Sequence, residues 1–315
     1  MKNRKMSIWV AVCLSIAGFA AAGMLLPAQD LGTGQAIVTI VPKHEGALPS
    51  SITQQDFLVK VNGQKAKVTL WTPYRAADDR IELVLLIDGS ARNSLAQQWG
   101  DMARFIQNLP PNTRAGIAYM ANGRSLFAGP LSTDRAEVLK NLHLQAGAPG
   151  SSASPYFCIS DLAKNWPSHD TGARRAVLMI SDGIDPYQPE YNPDDPYLQS
   201  AINDSVRAHI AISAIYWENR GRMSQNTLVS VGGQNLMSQL ADATGGRSFY
   251  QGTGNPVSLV SYFDGMVKQL GHQYKLEFEV PFHGHTVVGT MQIKIHAPET
   301  EIIAPHRVLV TPVTK

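Results

Sequence analysis

The sequence predicts an α/β fold with a doubly wound, mostly parallel sheet and β-strand segments at both flanks. Its middle part contains near-continuous apolar runs, "RIELVLLID", "RAGIAYMA", "RAVLMISDG" and "IAISAIYW", that alternate with amphipathic stretches. Runs of this kind are typical of strands buried on both faces, and their alternation with helices favours parallel pairing. A period-two pattern of apolar residues at both ends of the chain predicts the flanking strands.

The flanking segments have clear strand patterns. "AIVTIVPK" and "DFLVKVNGQKAKVTLWTP" lie upstream, and the latter predicts a hairpin at Asn62-Gly63. "YKLEFEVPF", "TVVGTMQIKIHA" and "HRVLVTPV" lie downstream. The sequence leaves open whether these two segments form one module around an inserted α/β domain. The predicted domains are a leader at 1–28, an N-terminal β segment at 29–78, an α/β domain at 79–271 and a C-terminal β segment at 272–315.

The predicted helices alternate with the apolar runs and have recognisable ends. One helix is expected to stop at Gly245-Gly246, because glycine readily adopts the conformation that follows a helix. A last amphipathic helix is expected within "NPVSLVSYFDGMVKQLGHQ". The earlier helices are predicted at Leu95–Asn108, Asp134–Leu142, Pro155–Trp166 and Tyr197–Arg207.

The first residues have the pattern of a secretory leader. A basic "MKNRK" precedes the uncharged apolar run "SIWVAVCLSIAGFAAAGMLL", and small residues follow. Cleavage is expected after Ala22 or Ala28. The run of about 20 residues is also long enough to serve as an uncleaved membrane anchor. We therefore expect an exported protein, periplasmic or extracellular, with membrane attachment only through this segment.

Charge and cysteine content exclude some function classes. Without the basic leader residues Lys2, Arg4 and Lys5, the 27 lysines and arginines fall to 24 against 25 acidic residues. A chain this close to neutrality has no nucleic-acid footprint. Only Cys158 lies outside the leader, so no intramolecular disulfide is expected there.

Polar residues follow the apolar runs at three places. Asp88 and Ser90 follow "IELVLLI", Ser154 ends the Gly/Ser-rich stretch "GAPGSSAS", and Asp182 follows "RAVLMIS". In open parallel sheets, ligands bind beyond the carboxyl ends of the strands. Carboxylates and hydroxyls converging there make an oxygen-rich site suited to Mg²⁺ or Ca²⁺.

These residues make the chain resemble a von Willebrand factor A domain, whose sheet is Rossmann-like. The family's metal-ion-dependent adhesion site uses Asp-x-Ser-x-Ser, a Thr and an Asp on three loops. "DGSAR" matches the first loop at Asp88 and Ser90, and "MISDGID" matches the third at Asp182. Ser154, or in another register Ser152, stands where the family has threonine. The flanking segments are similar to secreted bacterial proteins of the VWFA-related group.

Arg92 stands where the family's pattern has the second serine. In one interpretation the metal is held by Ser90, Ser154 and Asp182, with Asp88 acting through water and Arg92 turned outward. In the other, the guanidinium of Arg92 supplies the positive charge, because arginine is permanently charged and pairs well with carboxylates. The sequence leaves both open, so the predicted metal site is a degenerate one.

The resemblance implies a protein–protein interaction or adhesion module with a protein partner. We expect neither catalytic residues nor an organic cofactor, because the usual nucleophile-elbow, phosphate-loop and zinc-helix motifs are absent from the sequence. A metal-assisted hydrolase using the same cleft and a structural scaffold with a vestigial site are the alternatives. The tyrosine-containing loop Asp185–Tyr197 lies beside the predicted site and is a candidate recognition loop, since tyrosine is enriched in protein contacts.

Overall fold

A computed structural model describes residues 30–42, 52–74, 79–143, 154–218, 226–295 and 300–313, without the side chains of residues 55, 92 and 93. The strands are β1 (Leu31–Pro42), β2 (Phe57–Val61), β3 (Gln64–Pro73), β4 (Ile81–Asp88), β5 (Thr113–Ala121), β6 (Arg124–Phe127), β7 (Arg174–Ser181), β8 (Ile210–Tyr216), β9 (Gln273–Pro281), β10 (Val287–Ile295), β11 (Thr300–Ile303) and β12 (Arg307–Pro312).

Seven α-helices lie within the described residues, and short 3₁₀ turns precede β2 and α2. The helices are α1 (Arg92–Leu95), α2 (Trp99–Asn108), α3 (Arg135–Lys140), α4 (Pro155–Lys164), α5 (Pro196–Arg207), α6 (Thr227–Thr244) and α7 (Val260–Gly271). No helix of the described part is long and apolar enough to cross a membrane.

Strands from both ends of the chain form a closed antiparallel barrel. Its six strands follow the order β1-β12-β10-β2-β3-β9, and pairing of β1 with β9 closes the ring. That closing pair runs in register from Leu31 opposite Pro281 to Thr39 opposite Gln273. β11 adds to the end of β1. Val38, Ile40, Leu276 and other buried side chains fill the barrel.

The remaining strands form a mixed sheet in the order β6-β5-β4-β7-β8. β5, β4, β7 and β8 are parallel, and β6 pairs antiparallel with β5. Successive side chains of β4 enter two different cores, Val84 on the face of α4, α5 and α6 and Leu85 on the face of α2 and α7. Every residue of β4 is buried, which explains the apolar run Leu83–Ile87 between its two carboxylates, Glu82 and Asp88.

The predicted fold class is therefore wrong. The chain is not a doubly wound, mostly parallel sheet with β segments at its flanks, because it consists of a closed antiparallel barrel and a mixed sheet. A period-two pattern predicts a half-buried strand but not the strand it pairs with, so the sequence leaves open whether the two flanking segments join, as they do in the barrel. The antiparallel strand β6 follows a turn at Asn122-Gly123, where both residues have positive φ. This Asn-Gly pair is the hairpin signal that could have predicted β6.

Two local predictions are confirmed. The hairpin between β2 and β3 turns at Asn62 and Gly63, both with positive φ. Helix α6 ends at Gly245, which adopts the left-handed conformation with φ of 85°. The predicted domain limits stay a prediction, and the leader at 1–28 lies outside the described residues.

Candidate functional site

The carboxyl ends of β4 and β7 bring the first and third predicted loops together. These strands are parallel neighbours with Ile87 opposite Ile180, so Asp88 and Ser181 end them side by side. The Ser181 hydroxyl donates a hydrogen bond of 2.8 Å to Asp88 Oδ2. The other carboxylate oxygen of Asp88 accepts bonds from the backbone N–H and the hydroxyl of Ser90, at 2.9 and 2.6 Å. Asp88 is buried, and its burial raises the pKa of its carboxyl.

Asp182 lies directly after β7 and is also buried. Its Oδ1 accepts a 3.0 Å hydrogen bond from the backbone N–H of Ile184. Burial, and then the nearby charge of Asp88, raise the pKa of Asp182 to about 8. The following residue, Gly183, has φ of 69°, and a Cβ there would lie 2.5 Å from the carbonyl oxygen of Gly233 on α6. Only glycine fits this close approach, which fixes the loop that carries Asp182.

Ser154 stands at the N-cap of α4 and is completely buried. Its hydroxyl donates a 2.7 Å hydrogen bond to Asp185 Oδ2. Ser154 is therefore attached to the third loop through Asp185. The alternative residue, Ser152, lies outside the described residues.

Arg92 begins the short helix α1, two residues after Ser90. Its side chain is outside the described part of the structure. Both interpretations of Arg92 therefore remain predictions.

Two further buried aspartates, Asp185 and Asp195, lie at this edge. Asp195 caps α5, where its Oδ1 accepts hydrogen bonds from the backbone N–H groups of Tyr197 and Leu198, both at 2.8 Å. Its other oxygen, Oδ2, is buried without a hydrogen-bond partner in the described structure. The Asp-Pro pair before an apolar stretch is a helix-start signal that could have identified Asp195.

The hydroxyl of Tyr156 is bonded to the third loop. It donates a 2.8 Å hydrogen bond to the carbonyl oxygen of Gly183. Burial raises the pKa of this phenol well above its usual value, and the charges of Asp195, Asp185 and Asp182 raise it further. The charges of these three carboxylates thus all act on one buried tyrosine. Together with the adjoining Asp88 they are called the aspartate cluster below.

The aspartate cluster has no cationic partner among the described side chains, which do not include that of Arg92. None of its four carboxylates takes part in an ion pair within the described residues. Bringing carboxylates out of water is costly unless they are neutralised or well hydrogen-bonded. Neutralising these carboxylates therefore requires a proton, a bound cation or a cationic side chain outside the described part.

The predicted ligands fit a hard cation in the chemistry of their donors. Asp88, Ser90, Ser154 and Asp182 offer only carboxylate and hydroxyl oxygens, which Mg²⁺ and Ca²⁺ prefer. In the described arrangement, however, no group of three or more histidine, cysteine, aspartate or glutamate side chains is placed to hold a metal ion. The hydroxyl of Ser154 and both oxygens of Asp88 are engaged in hydrogen bonds within the protein.

No protein-family model matches the sequence, and no curated protein matches it. Solved structures, in contrast, match the fold of this chain. A von Willebrand factor type A protein from Catenulispora acidiphila is 13% identical, with a TM-score of 0.41 over 88% of this chain and 74% of that one. The von Willebrand factor domain of a type V pili tip protein from Porphyromonas gingivalis is 11% identical, with a TM-score of 0.45 over 62% of this chain and 96% of that one.

A third similar structure is the conserved hypothetical protein BatB from Bacteroides thetaiotaomicron. It is 15% identical, with a TM-score of 0.43 over 60% of this chain and 97% of that one. The solved structures to which this chain is similar thus include von Willebrand A domains. TM-scores this low carry no property of those proteins over to this chain.

Proposed function

We propose that this chain is an exported protein–protein interaction module, of the adhesion type, that binds its partner at the carboxyl edge of the mixed sheet. The observation that carries the proposal is the aspartate cluster, four buried carboxylates without an ion pair in the described residues. A fold stabilises itself poorly by burying like charges. Such an arrangement is therefore explained best by a positively charged ligand that binds there.

The first such ligand is a divalent cation. Asp88, Ser90, Ser154 and Asp182 would hold Mg²⁺ or Ca²⁺, and the cation would offset the repulsion between the two aspartates. A cation at this edge supplies a coordination position for a carboxylate of the partner, as the resemblance to von Willebrand A domains implies. Ser154 would have to leave Asp185 to join the ligands, and Arg92 would have to point away, so we expect weak binding.

The surface beside the cluster is suited to protein contact. Tyr187 and Tyr191, in the loop after Asp182, are 55% and 49% exposed. Leu228 and Val231, one turn apart on α6, are 79% and 46% exposed. Tyrosine and exposed apolar residues that adjoin a polar site are typical of binding surfaces.

The apolar surface is continuous between the loop and the helix. Tyr191 lies against α6 at Gly232, where an added Cβ would come within 3.0 Å of the tyrosine Cβ. The glycine therefore lets the loop approach the helix closely. This contact joins the exposed tyrosines to Leu228 and Val231, so a partner could contact both while reaching the aspartate cluster.

The proposal is tested by capture of proteins from the exported fraction by the immobilised chain, with Mg²⁺ and Ca²⁺ or with a chelator. We expect a specific partner that the wild type retains with cation and that Asp182→Ala fails to retain. Asp170→Ala is the matched control, because Asp170 lies in an exposed ion pair with Arg80 away from the site. Arg92→Ser should strengthen cation-dependent capture, since it removes a charge and adds a hydroxyl.

The outcomes separate the alternatives. Capture that is unaffected by the chelator but is lost in the Tyr187→Ala, Tyr191→Ala double variant would refute metal binding. It would still support an interaction module that uses the tyrosine surface. Equal capture by wild type, Asp182→Ala and the double variant would refute the proposed surface. It would favour a structural scaffold with a vestigial site.

A further inference from the structure

A cavity of about 380 Å³ lies between the barrel and the mixed sheet, at the opposite end of the strands from the aspartate cluster. It is bounded by the first residues of β7 and β8, the end of α5, and parts of β1 and β12. Its size is that of a small-molecule site. Because it is separate from the carboxyl edge, its role is independent of the proposed function.

The cavity is lined by an excess of positive charge. Five basic residues line it, and the described lining includes no aspartate or glutamate; the five are Arg174, Arg175, Arg207, Lys275 and Arg307. His209 also lines the cavity, but burial and then the charge of Arg175 lower its pKa, so it adds a hydrogen-bonding group rather than a charge.

Three of the five cations are satisfied by the protein. Arg174 pairs with Asp79 and bonds to the carbonyl oxygen of Leu270. Arg175 bonds to backbone carbonyl oxygens, and Lys275 pairs with a glutamate. These three hold the walls of the cavity together.

The other two cations remain available. Arg307 makes no side-chain hydrogen bond or ion pair with any other described residue, although it is only partly exposed. Among the described residues, Arg207 pairs only with Asp204 on its own helix, at 3.9 Å. A guanidinium offers several fixed N–H donors, so Arg307 in particular can bind a carboxylate or phosphate in a bidentate manner.

The barrel wall adds backbone donors to the same cavity. β1 pairs with β12 only at Gly32 and Thr33 and with β11 only from Thr39 onward, so its middle residues have no strand on that edge in the described structure. Leu31 faces β12, because its carbonyl oxygen accepts the N–H of Val313. By the alternation of antiparallel strands, residues 35 and 37 face the same edge. Their N–H groups therefore point to the cavity side of β1.

We propose that this cavity binds a small organic anion, a carboxylate or a phosphate ester, through the guanidinium groups of Arg307 and Arg207. The backbone N–H groups on the open edge of β1 add hydrogen bonds to the carboxylate or phosphate group of this ligand. Val206 and Leu309 form an apolar part of the lining that accommodates the body of the ligand.

The test is the melting temperature of the full chain with millimolar benzoate, phenyl phosphate or inorganic phosphate, at an ionic strength held constant with sodium chloride. We expect benzoate or phenyl phosphate to raise the melting temperature, and Arg307→Gln to weaken the apparent affinity for that anion about tenfold. A response to benzoate alone identifies a carboxylate and one to phenyl phosphate a phosphate ester, whereas a response to inorganic phosphate alone overturns the proposal of an organic anion.

The matched control is Arg124→Gln, since Arg124 is an exposed arginine on β6 and does not line the cavity. Arg207→Gln is the second variant should Arg307→Gln fold poorly, because its side chain is 58% exposed and its loss costs little packing. The proposal is overturned if none of the anions raises the melting temperature, or if wild type, Arg307→Gln and Arg207→Gln respond alike.

Discussion

The two ends of the mixed sheet differ in how they hold buried carboxylates. At the amino ends, Glu82 is fully buried and accepts hydrogen bonds from Arg114 at 2.9 Å and from the indole N–H of Trp166 at 2.7 Å. Asp79, 8% exposed, pairs with the buried Arg174. At the carboxyl ends, the aspartate cluster has no such cations among the described residues. Among the described residues, the fold thus pairs one set of buried carboxylates with cations and leaves the other set unpaired.

Buried charges at the two ends should therefore affect the stability of the fold differently. A buried ion pair in which each partner is fully hydrogen-bonded stabilises a unique arrangement of strands, and removal of one member leaves an uncompensated charge. A buried charge without a partner lowers stability instead. We therefore expect substitutions at the two ends to have opposite effects on the free energy of unfolding.

The largest effect is expected at the amino end. Arg174→Met should lower the free energy of unfolding by about 3–5 kcal/mol, because it leaves Asp79 buried without its cation. The measurement is urea unfolding followed by circular dichroism. Arg104→Met is the control, since Arg104 pairs with Asp101 at the surface and should contribute under about 1 kcal/mol. A loss for Arg174→Met as small as that of the control would show that the two ends do not differ.

The next effect is the pH dependence of stability at the carboxyl end. The pKa of Asp182 is about 8 in the folded chain and about 3.9 in an unfolded one. The folded state therefore holds the extra proton between about pH 4 and 8, and the free energy of unfolding falls as pH rises through this window, with Asp182 contributing at most about 1.4 kcal/mol per pH unit. Unfolding with chelator from pH 5 to 8 measures this slope.

Two changes should flatten that slope. Asp182→Asn cannot ionise, and Mg²⁺ or Ca²⁺ would offset the charge of the ionised carboxylate at pH 8. Asp170→Asn, at an exposed ion pair, should leave the slope as it is. A wild-type chain as stable at pH 8 as at pH 5 in chelator would contradict the electrostatic account of this site.

The smallest effect is expected at two helix N-caps that form the same kind of hydrogen bonds. Asp195 and Asp134 each accept two backbone N–H bonds at the start of a helix, but Asp195 is buried and Asp134 is exposed. Asparagine caps a helix about as well as aspartate. Asp195→Asn should therefore raise the free energy of unfolding at pH 8 by about 0.5–1 kcal/mol, because it removes an unneutralised buried charge.

Asp134→Asn should instead lower the free energy of unfolding by a few tenths of a kcal/mol, because it loses only the attraction of a charge to the helix dipole. Thermal unfolding of both variants at one pH gives the two values. Changes of the same sign would mean that burial of Asp195 is already compensated within the chain.

The sequence predicted local features of the molecule better than long-range ones. Asn62-Gly63 and Gly245 were identified because glycine and asparagine tolerate positive φ, a property of single residues. The buried strand β4 could be predicted because five consecutive residues, Leu83–Ile87, are apolar and so serve both faces. The closure of the barrel could not be predicted, because the pairing of β1 with β9 joins residues far apart in the chain and no local sequence pattern indicates it.

The residues of the candidate site also differ in whether a local pattern predicts their position. Asp88, Ser90 and Asp182 follow apolar runs, so their place at a strand end could be predicted and the structure brings them together. The hydrogen bond between Ser154 and Asp185 and the buried cap at Asp195 depend on how the loops fold over one another. No spacing rule predicts contacts of that kind.

The closing pair of the barrel also orders the steps of folding. β1 reaches its partner only after roughly 240 further residues have been synthesised, since Leu31 pairs with Pro281 and Thr39 with Gln273. Contacts this distant in sequence form late, because the intervening chain must first be compacted. The mixed sheet and its helices, which lie between the two strands, can fold before the barrel closes. Until then the first strand is an unpaired edge, the state most open to pairing with another chain.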